Sequence, residues 1–418
     1  MSEVKRVGLG RTTFATFIGT VLEQHDFTIY AHLLPVIVPL CFPHMDSATS
    51  RIHMLATFSF GYFFRPIGGV IFGHFGDKFG RKKPMVVSII LMSFPTLALA
   101  CLPTYAQVGA LSGFVLYLCR SIQSISVGGE IAGACAIILE NAPLKRKSLF
   151  SSIQGMAFWS GSILGAVSAW VFTQSFMPSW GWRISFSIGS FIAIVGFYMR
   201  RKAVETPEFQ IIAAQKKTLK FPIRETLKYD WRAHLCWIGL TYVGVYSYMI
   251  LYVPMIMKSN FGYNVSESLL VSICFMSLVL ILLPLFGLLG DRFGAKKVMG
   301  SGILLVALIM PFSLRAMSFA TPFYFFLFHG LACVAFTAQI APNGRIAQYM
   351  YPTERRYSGS SFGLGMAVVL VAGFGPFVLD KLRLNMGCFW GPVLYITCLQ
   401  IAAFLGMIFA PSFLKQEK

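Results

Sequence analysis

The chain reads as an all-α membrane protein of about twelve transmembrane helices arranged as two similar halves of about six each. Three observations predict this. The composition is 56% hydrophobic and only 12% charged, with a mean hydropathy of +0.68, whereas a soluble domain carries about 25% charged residues. Apolar stretches of about 20 residues, enough to cross a bilayer, recur along the whole sequence. Finally, Gly73-His-Phe-Gly-Asp77-Lys-Phe-Gly80-Arg81-Lys-Lys83 is echoed 214 residues later by Gly287-Leu-Leu-Gly-Asp291-Arg-Phe-Gly294-Ala-Lys-Lys297, in a chain of 418.

Taken in order, the spans fall near 12–39, 53–75, 84–103, 109–139, 149–174, 183–200, 233–257, 267–289, 297–316, 321–346, 358–380 and 388–411. Kinks are expected at Pro35, Pro254 and Pro342. The first apolar run carries Glu23 and Asp26 and lacks a small-residue cleavage site, so it reads as a retained helix rather than a signal peptide. The segment 201–232, rich in Lys and Arg, reads as a cytoplasmic linker with short amphipathic helices on the membrane surface. The expected division is therefore 1–200, 201–232 and 233–418.

Of the 35 cations, 26 fall on one side of this topology, 6 on the other, and Arg65, Arg120 and Arg345 are embedded. The positive-inside rule then expects both termini in the cytoplasm. The net charge of +19 is distributed in short runs between apolar segments, which argues against a nucleic-acid partner. Nine cysteines include no C-x-x-C pair and read as packing residues rather than metal or disulfide chemistry. No phosphate-binding Gly-Lys-Ser loop appears, which excludes ATP-driven transport, and no nucleophile triad suggests an enzyme. No cofactor or metal is expected.

A charged group at mid-membrane costs about 2.5–3.5 kcal/mol, so each embedded one calls for a reason. Gly19, Glu23, Asp26 and Tyr30 share one face of the first span. Two crowded carboxyls can divide roles, one ionised against a cation and one taking up a proton, which makes Glu23 and Asp26 candidate proton-coupling residues; fixed ion pairs bracing the bundle are the alternative. Arg120, Gln123 and Glu130 form a polar stripe on the fourth span, with Arg65 on the second. Arginine reads a carboxylate through two parallel hydrogen bonds, so Arg120 and Arg65 are candidate substrate ligands; a permanent bridge from Arg120 to Asp26 or Glu130 is the alternative. His25, pointing away from Glu23, is expected to make a lone interhelical hydrogen bond. In the second half Tyr242, Tyr246, Gln339 and Asn343 are candidate cavity residues, with helix packing an equal alternative. The segments 140–147 and 352–356 read as structural loops.

Two six-span halves with a Gly-Asp-Gly-basic string after the second span of each resemble the major facilitator superfamily. That resemblance implies the major-facilitator fold, a central site exposed alternately to either side, and a conformational latch at Gly73, Asp77, Gly80, Arg81, Gly287, Asp291 and Gly294. Ala295 stands where the first copy has Arg81, which implies a weaker second latch. Glu23-x-x-Asp26-Phe27-x-x-Tyr30, Arg65-Pro-x-Gly-Gly69, Arg120-x-x-Gln123, Gly128-Gly-Glu130, Glu140-x-x-Pro143, Glu205-Thr-Pro-x-Phe209 and Tyr252-Val-Pro254 narrow the resemblance to the metabolite:proton symporter family. Its members are bacterial inner-membrane permeases for 2-oxoglutarate, citrate, shikimate, proline or betaine. The resemblance thus implies proton-coupled import of a small carboxylate-bearing metabolite by a monomer in the lipid bilayer of the inner membrane; export of amphipathic compounds is the alternative. Gln24-His25, Thr20, Ser124 and Lys147 depart from the family pattern and bear on which solute is carried. Without the charged C-terminal extension of osmosensing permeases, no osmotic activation is expected.

Overall fold

The computed structural model describes residues 9–43, 56–57, 59–201, 203–241, 245, 257, 261–316 and 322–412. Among these residues the chain is helical and contains no strand. The first half comprises α1 (Leu9–Cys41), α2 (Arg65–Phe79, entered through a 3-10 turn at Gly61–Phe64), α3 (Lys82–Ala100), α4 (Leu111–Glu140), α5 (Lys147–Phe172) and α6 (Trp182–Arg201). Two short helices, α7 (Pro207–Ala214) and α8 (Pro222–Tyr229), make the connection. The second half contains α9 (Trp231–Leu240), α10 (Val265–Phe293), α11 (Ala295–Ala316), α12 (Phe323–Ile340) with its continuation α13 (Asn343–Gln348), α14 (Arg356–Val368) and α15 (Gly375–Phe409). Eight described helices are long and apolar enough to cross a membrane by themselves. The kink expected at Pro342 separates α12 from α13, while α1 runs through Pro35 unbroken. Pro254 lies outside the described residues. A left-handed Gly387 (φ 84°) divides α15.

The repeated string forms a corner between two helices. Helix α2 continues to Phe79 and α10 to Phe293, and the chain turns on Gly80 (φ 105°) and Gly294 (φ 102°) before the next helix begins. Only glycine adopts that backbone readily. Asp77 and Asp291 are therefore held on the last turn of a rigid helix, aimed at whatever packs beside it.

What packs there belongs to the other half. The halves meet along two equivalent helix pairs, α2 with α14 and α10 with α5. Small residues line both seams and bring the backbones close. A Cβ added at Gly69 would lie 2.7 Å from the Ser361 carbonyl oxygen, and one at Gly73 2.6 Å from the Ser358 Cα. On the second seam, a Cβ at Gly287 would meet Ser152 Oγ at 2.5 Å, and one at Gly290 would meet Ser148 Cβ at 3.0 Å.

The linker helices pack against the end of the bundle. Thr206 caps α7, and Phe209 is buried with its ring 5.1 Å from the Arg81 guanidinium. Helix α7 is thereby seated on the cation-rich end of the bundle, while α8 packs against α2 and α14.

Candidate functional site

Arg120 is 1% exposed, one third of the way along α4. Its guanidinium lies 3.7 Å from the Tyr30 ring centroid and 5.2 Å from that of Phe27, and Nη1 donates to Gln123 Oε1 at 2.9 Å. Nε and Nη2 have no hydrogen-bond partner among the described residues. Gly61 leaves space near that edge: a Cβ there would lie 3.7 Å from Nη2 and 3.8 Å from Nε. Arg65 joins the group, 5.0 Å from the Phe27 centroid and 4.8 Å from that of Tyr62. The structure thus brings together Tyr30, Arg65, Arg120 and Gln123, with the Phe27 ring shared by both cations.

The permanent bridge from Arg120 to Asp26 or Glu130 is absent among the described residues. Asp26 instead accepts from Thr96 Oγ1 at 2.9 Å and faces His25 Nδ1 at 3.0 Å. Gln123 Nε2 donates to Thr96 Oγ1 at 2.9 Å, so an unbroken chain runs Arg120–Gln123–Thr96–Asp26. His25 thus bonds its sequence neighbour, not another helix as expected.

Glu130 leaves the Arg120 stripe altogether. It pairs with Arg200 and accepts from Ser88 Oγ at 2.9 Å. Arg200 also donates to the Met85 carbonyl oxygen at 2.9 Å. The Glu23 carboxyl faces that of Glu130 in the field of Arg65 and Arg200, and no other described group hydrogen-bonds it. A Cβ at Gly19 would lie 1.9 Å from Arg200 Nη2, so that glycine makes the slot in which the guanidinium rests. Arg200 is one of the 26 cations that the sequence puts on one side, because an arginine in the last turn of an apolar helix normally snorkels outward. The one signal in the sequence was Gly19, one helical turn before Glu23.

In the second half Asn343 Nδ2 donates to the Leu240 carbonyl oxygen at 3.1 Å and lines a cavity of about 60 Å³ with Gln154, Trp159, Trp237 and Gln348. That is room for about two waters. Gln339 is buried on α12, its backbone against Gly302 of α11. Tyr242 and Tyr246 lie outside the described residues.

Asp77 and Asp291, the two residues expected to form a latch, make equivalent contacts. Asp77 accepts from the backbone N–H groups of Tyr357 (3.2 Å) and Ser358 (2.7 Å), in the first turn of α14. Asp291 accepts from Ser148 (2.7 Å) and Leu149 (3.0 Å), in the first turn of α5. Each carboxylate thus satisfies orphan donors at the positive end of a helix from the other half. Arg81 braces the first at 3.0 Å. The cation missing at Ala295 is supplied from elsewhere: Arg345 Nη1 lies 3.3 Å from Asp291 Oδ1 and 2.8 Å from Ser148 Oγ. The segments 140–147 and 352–356 belong to the same cluster of ion pairs. Glu140 pairs with Arg81 and Arg356 (3.3 and 3.2 Å) and accepts from Thr206 Oγ1 at 2.6 Å; Arg81 Nη2 donates to the Thr353 carbonyl oxygen at 2.8 Å. Glu205 accepts from the backbone N–H groups of Arg81 and Lys82, and Glu208 pairs with Arg356 and Lys147. Burial raises the Glu208 carboxyl above its ordinary value of 4.5, against the pull of Arg356 and with the help of Glu140.

Two helical halves packed over buried ionisable groups are the architecture of a membrane transporter, and the chain's relatives are transporters rather than enzymes. The profile of the "Sugar (and other) transporter" family matches residues 12–230, and the chain belongs to that family, within the major facilitator superfamily. It is 32% identical over 395 residues to the inner membrane metabolite transport protein YhjE of Escherichia coli, covering 89% of this chain and 88% of that one. It is 32% identical to the proline/betaine transporter of Salmonella typhimurium, covering 96% and 82%. A putative proline/betaine transporter of Staphylococcus aureus is 31% identical over 96% of this chain and 87% of its own. The proton:xylose symporter XylE has the same fold, with a TM-score of 0.82 at 18% identity and 98% of each chain covered. So does the human organic anion transporter MFSD10, with a TM-score of 0.71 at 14% identity, covering 96% and 99%.

Proposed function

We propose that the chain imports a small carboxylate-bearing solute, of the amino-acid, betaine or di/tricarboxylate type, together with one or more protons. The observation that carries this reading is Arg120. It is buried against two rings, with two nitrogens free of hydrogen bonds and no carboxylate paired to it among the described residues. A buried cation of this kind is costly unless it meets an anion, and a carboxylate fits its free edge. Two relatives bear proline/betaine transport in their names, which agrees with a solute of that class.

Proton coupling falls to Glu23 and Asp26. Glu23 shares its site with Glu130, and Glu130 takes the direct bridge to Arg200. Two carboxyls that face each other hydrogen-bond only when one of them holds a proton. Asp26 is joined to Arg120 through Thr96 and Gln123, so a change of charge at one end alters the hydrogen bonding at the other. One charge crossing the membrane potential supplies about 2.3 kcal/mol per 100 mV, enough to concentrate a solute several tens of times.

The orientation we propose puts the latched, cation-rich end and both termini in the cytoplasm; it rests on the charge asymmetry of the sequence. A bacterial inner membrane and a monomeric carrier complete the reading. A thermal-shift screen of the purified protein against dicarboxylates, tricarboxylates, amino acids and betaines tests it. A carboxylate should stabilise the protein while its amide or alcohol analogue does not. Stabilisation by the analogue alone would refute the role of Arg120.

A further inference from the structure

Tyr357 belongs to α14 of the second half, yet its backbone and ring are both held by the first. Its backbone N–H is held by Asp77 on α2. Its ring, wholly buried, fills a slot between two glycines of different helices: a Cβ at Gly76 would lie 1.9 Å from Cδ1, and one at Gly133 would lie 2.2 Å from Oη. Gly133 stands one helical turn beyond Glu130 on α4. The hydroxyl, which has no hydrogen-bond partner among the described residues, lies in the field of Glu130 and Arg200 on one side and of Asp77 and Arg81 on the other. The phenol therefore stands between the carboxyl pair and the latch.

The two seams differ at this point. On α5, the residue whose N–H is held by Asp291 in the same first-turn position is Ser148, facing Gly290. A serine spans no such distance. The large ring appears only on the seam that adjoins Glu23 and Glu130.

We propose that Tyr357 is the plug that closes the proton's route from the Glu23–Glu130 pair to the cation-rich end. Because the same residue is fastened by Asp77, opening the latch withdraws the plug, and release of the proton and opening of that end are one event. An apolar ring filling a close-fitting slot excludes the water a proton would need, and its departure with α14 admits that water. The inference rests on the proton-coupling reading above.

The test uses the full-length protein in proteoliposomes holding an internal pH dye, with solute counterflow measured in parallel. Without solute, the wild type should hold an acid-outside gradient. Tyr357→Ala should let the gradient decay, keep solute counterflow and lose gradient-driven accumulation; Tyr357→Phe, which retains the ring, should stay sealed. A Tyr357→Ala protein that holds the gradient and accumulates solute like the wild type overturns the proposal, as does Tyr357→Phe leaking as fast as the alanine variant. Should Tyr357→Ala fail to fold, Gly133→Ala, whose methyl evicts the ring, is read by the same two outcomes. Solute uptake indifferent to protons in the wild type would defeat the coupling reading instead, and would be seen before any variant is made.

Discussion

Asp77 Oδ1 sits 3.2 Å from the backbone nitrogen of Tyr357, so a carboxylate from one half caps a helix of the other. Neutralising it removes a charge–dipole interaction worth up to about 2 kcal/mol in a buried setting, or more than ten-fold in the closed-to-open equilibrium. Asp77→Asn should therefore cripple net uptake while solute binding, followed by thermal shift, remains within a few-fold of the wild type. Loss of binding in a folded Asp77→Asn protein would contradict the separation of latch from site. Because Arg345 braces the second latch, Asp291→Asn should also impair transport rather than being tolerated.

Two glycines offer opposite outcomes. The Gly73 Cβ would strike the Ser358 backbone across the seam between halves, whereas the Gly128 Cβ would strike the Arg65 carbonyl oxygen, at 2.1 Å, within one half. Gly73→Ala should leave the protein folded but expose the cation-rich end to a thiol reagent at an introduced cysteine. Gly128→Ala should instead lower the melting temperature, in line with overpacking penalties of about 1–3 kcal/mol or more. The reverse pattern would place the moving seam elsewhere.

Arg120→Lys keeps the charge but loses the planar fork and its stacking on Tyr30. Charge-assisted hydrogen bonds of this kind contribute about 1.5–3 kcal/mol, so carboxylate affinity by calorimetry should fall about ten- to a hundred-fold. Gly61→Ala, whose methyl would meet Ser124 Oγ at 2.7 Å and lie in ordinary contact with the guanidinium, should weaken binding less. Unchanged affinity in Arg120→Lys would show that the solute is read by other groups.

Glu208 gives the latch a pH dependence. Burial raises its carboxyl above 4.5 in the closed arrangement, so the closed form binds the proton more tightly than one in which Glu208 meets water. Closure is then favoured below the ordinary value and loses this contribution as pH rises through the raised one. Thiol accessibility at the cation-rich end should accordingly increase with pH across that window, and Glu208→Gln should flatten the profile. An unchanged profile in that variant would assign the effect to another group.

Much of the fold was legible because membrane spans are set by length and apolarity, and because the repeated Gly-Asp-Gly string marks equivalent corners. Arg65, Arg120 and Gln123 were legible for a related reason: polar groups inside apolar helices demand an explanation. Arg200 was not, since an arginine at a helix end looks the same in sequence whether it snorkels outward or folds back onto Glu130. The replacement of Ala295 by Arg345, 50 residues on, was equally hidden. Such partners are set by helix packing, which a single sequence does not record. The seating of α7 on Arg81 and Glu140 was missed for the same reason; amphipathic short helices read as surface helices.

The central claim is that solute entry is driven by protons through Glu23 and its neighbours. The most direct measurement is uptake of a labelled carboxylate solute, identified by the binding screen, into proteoliposomes under imposed pH and voltage gradients. The account predicts uptake that rises with either gradient, and a Glu23→Gln protein that exchanges solute yet no longer accumulates it. Uptake indifferent to both gradients, or accumulation undiminished in Glu23→Gln, would contradict it.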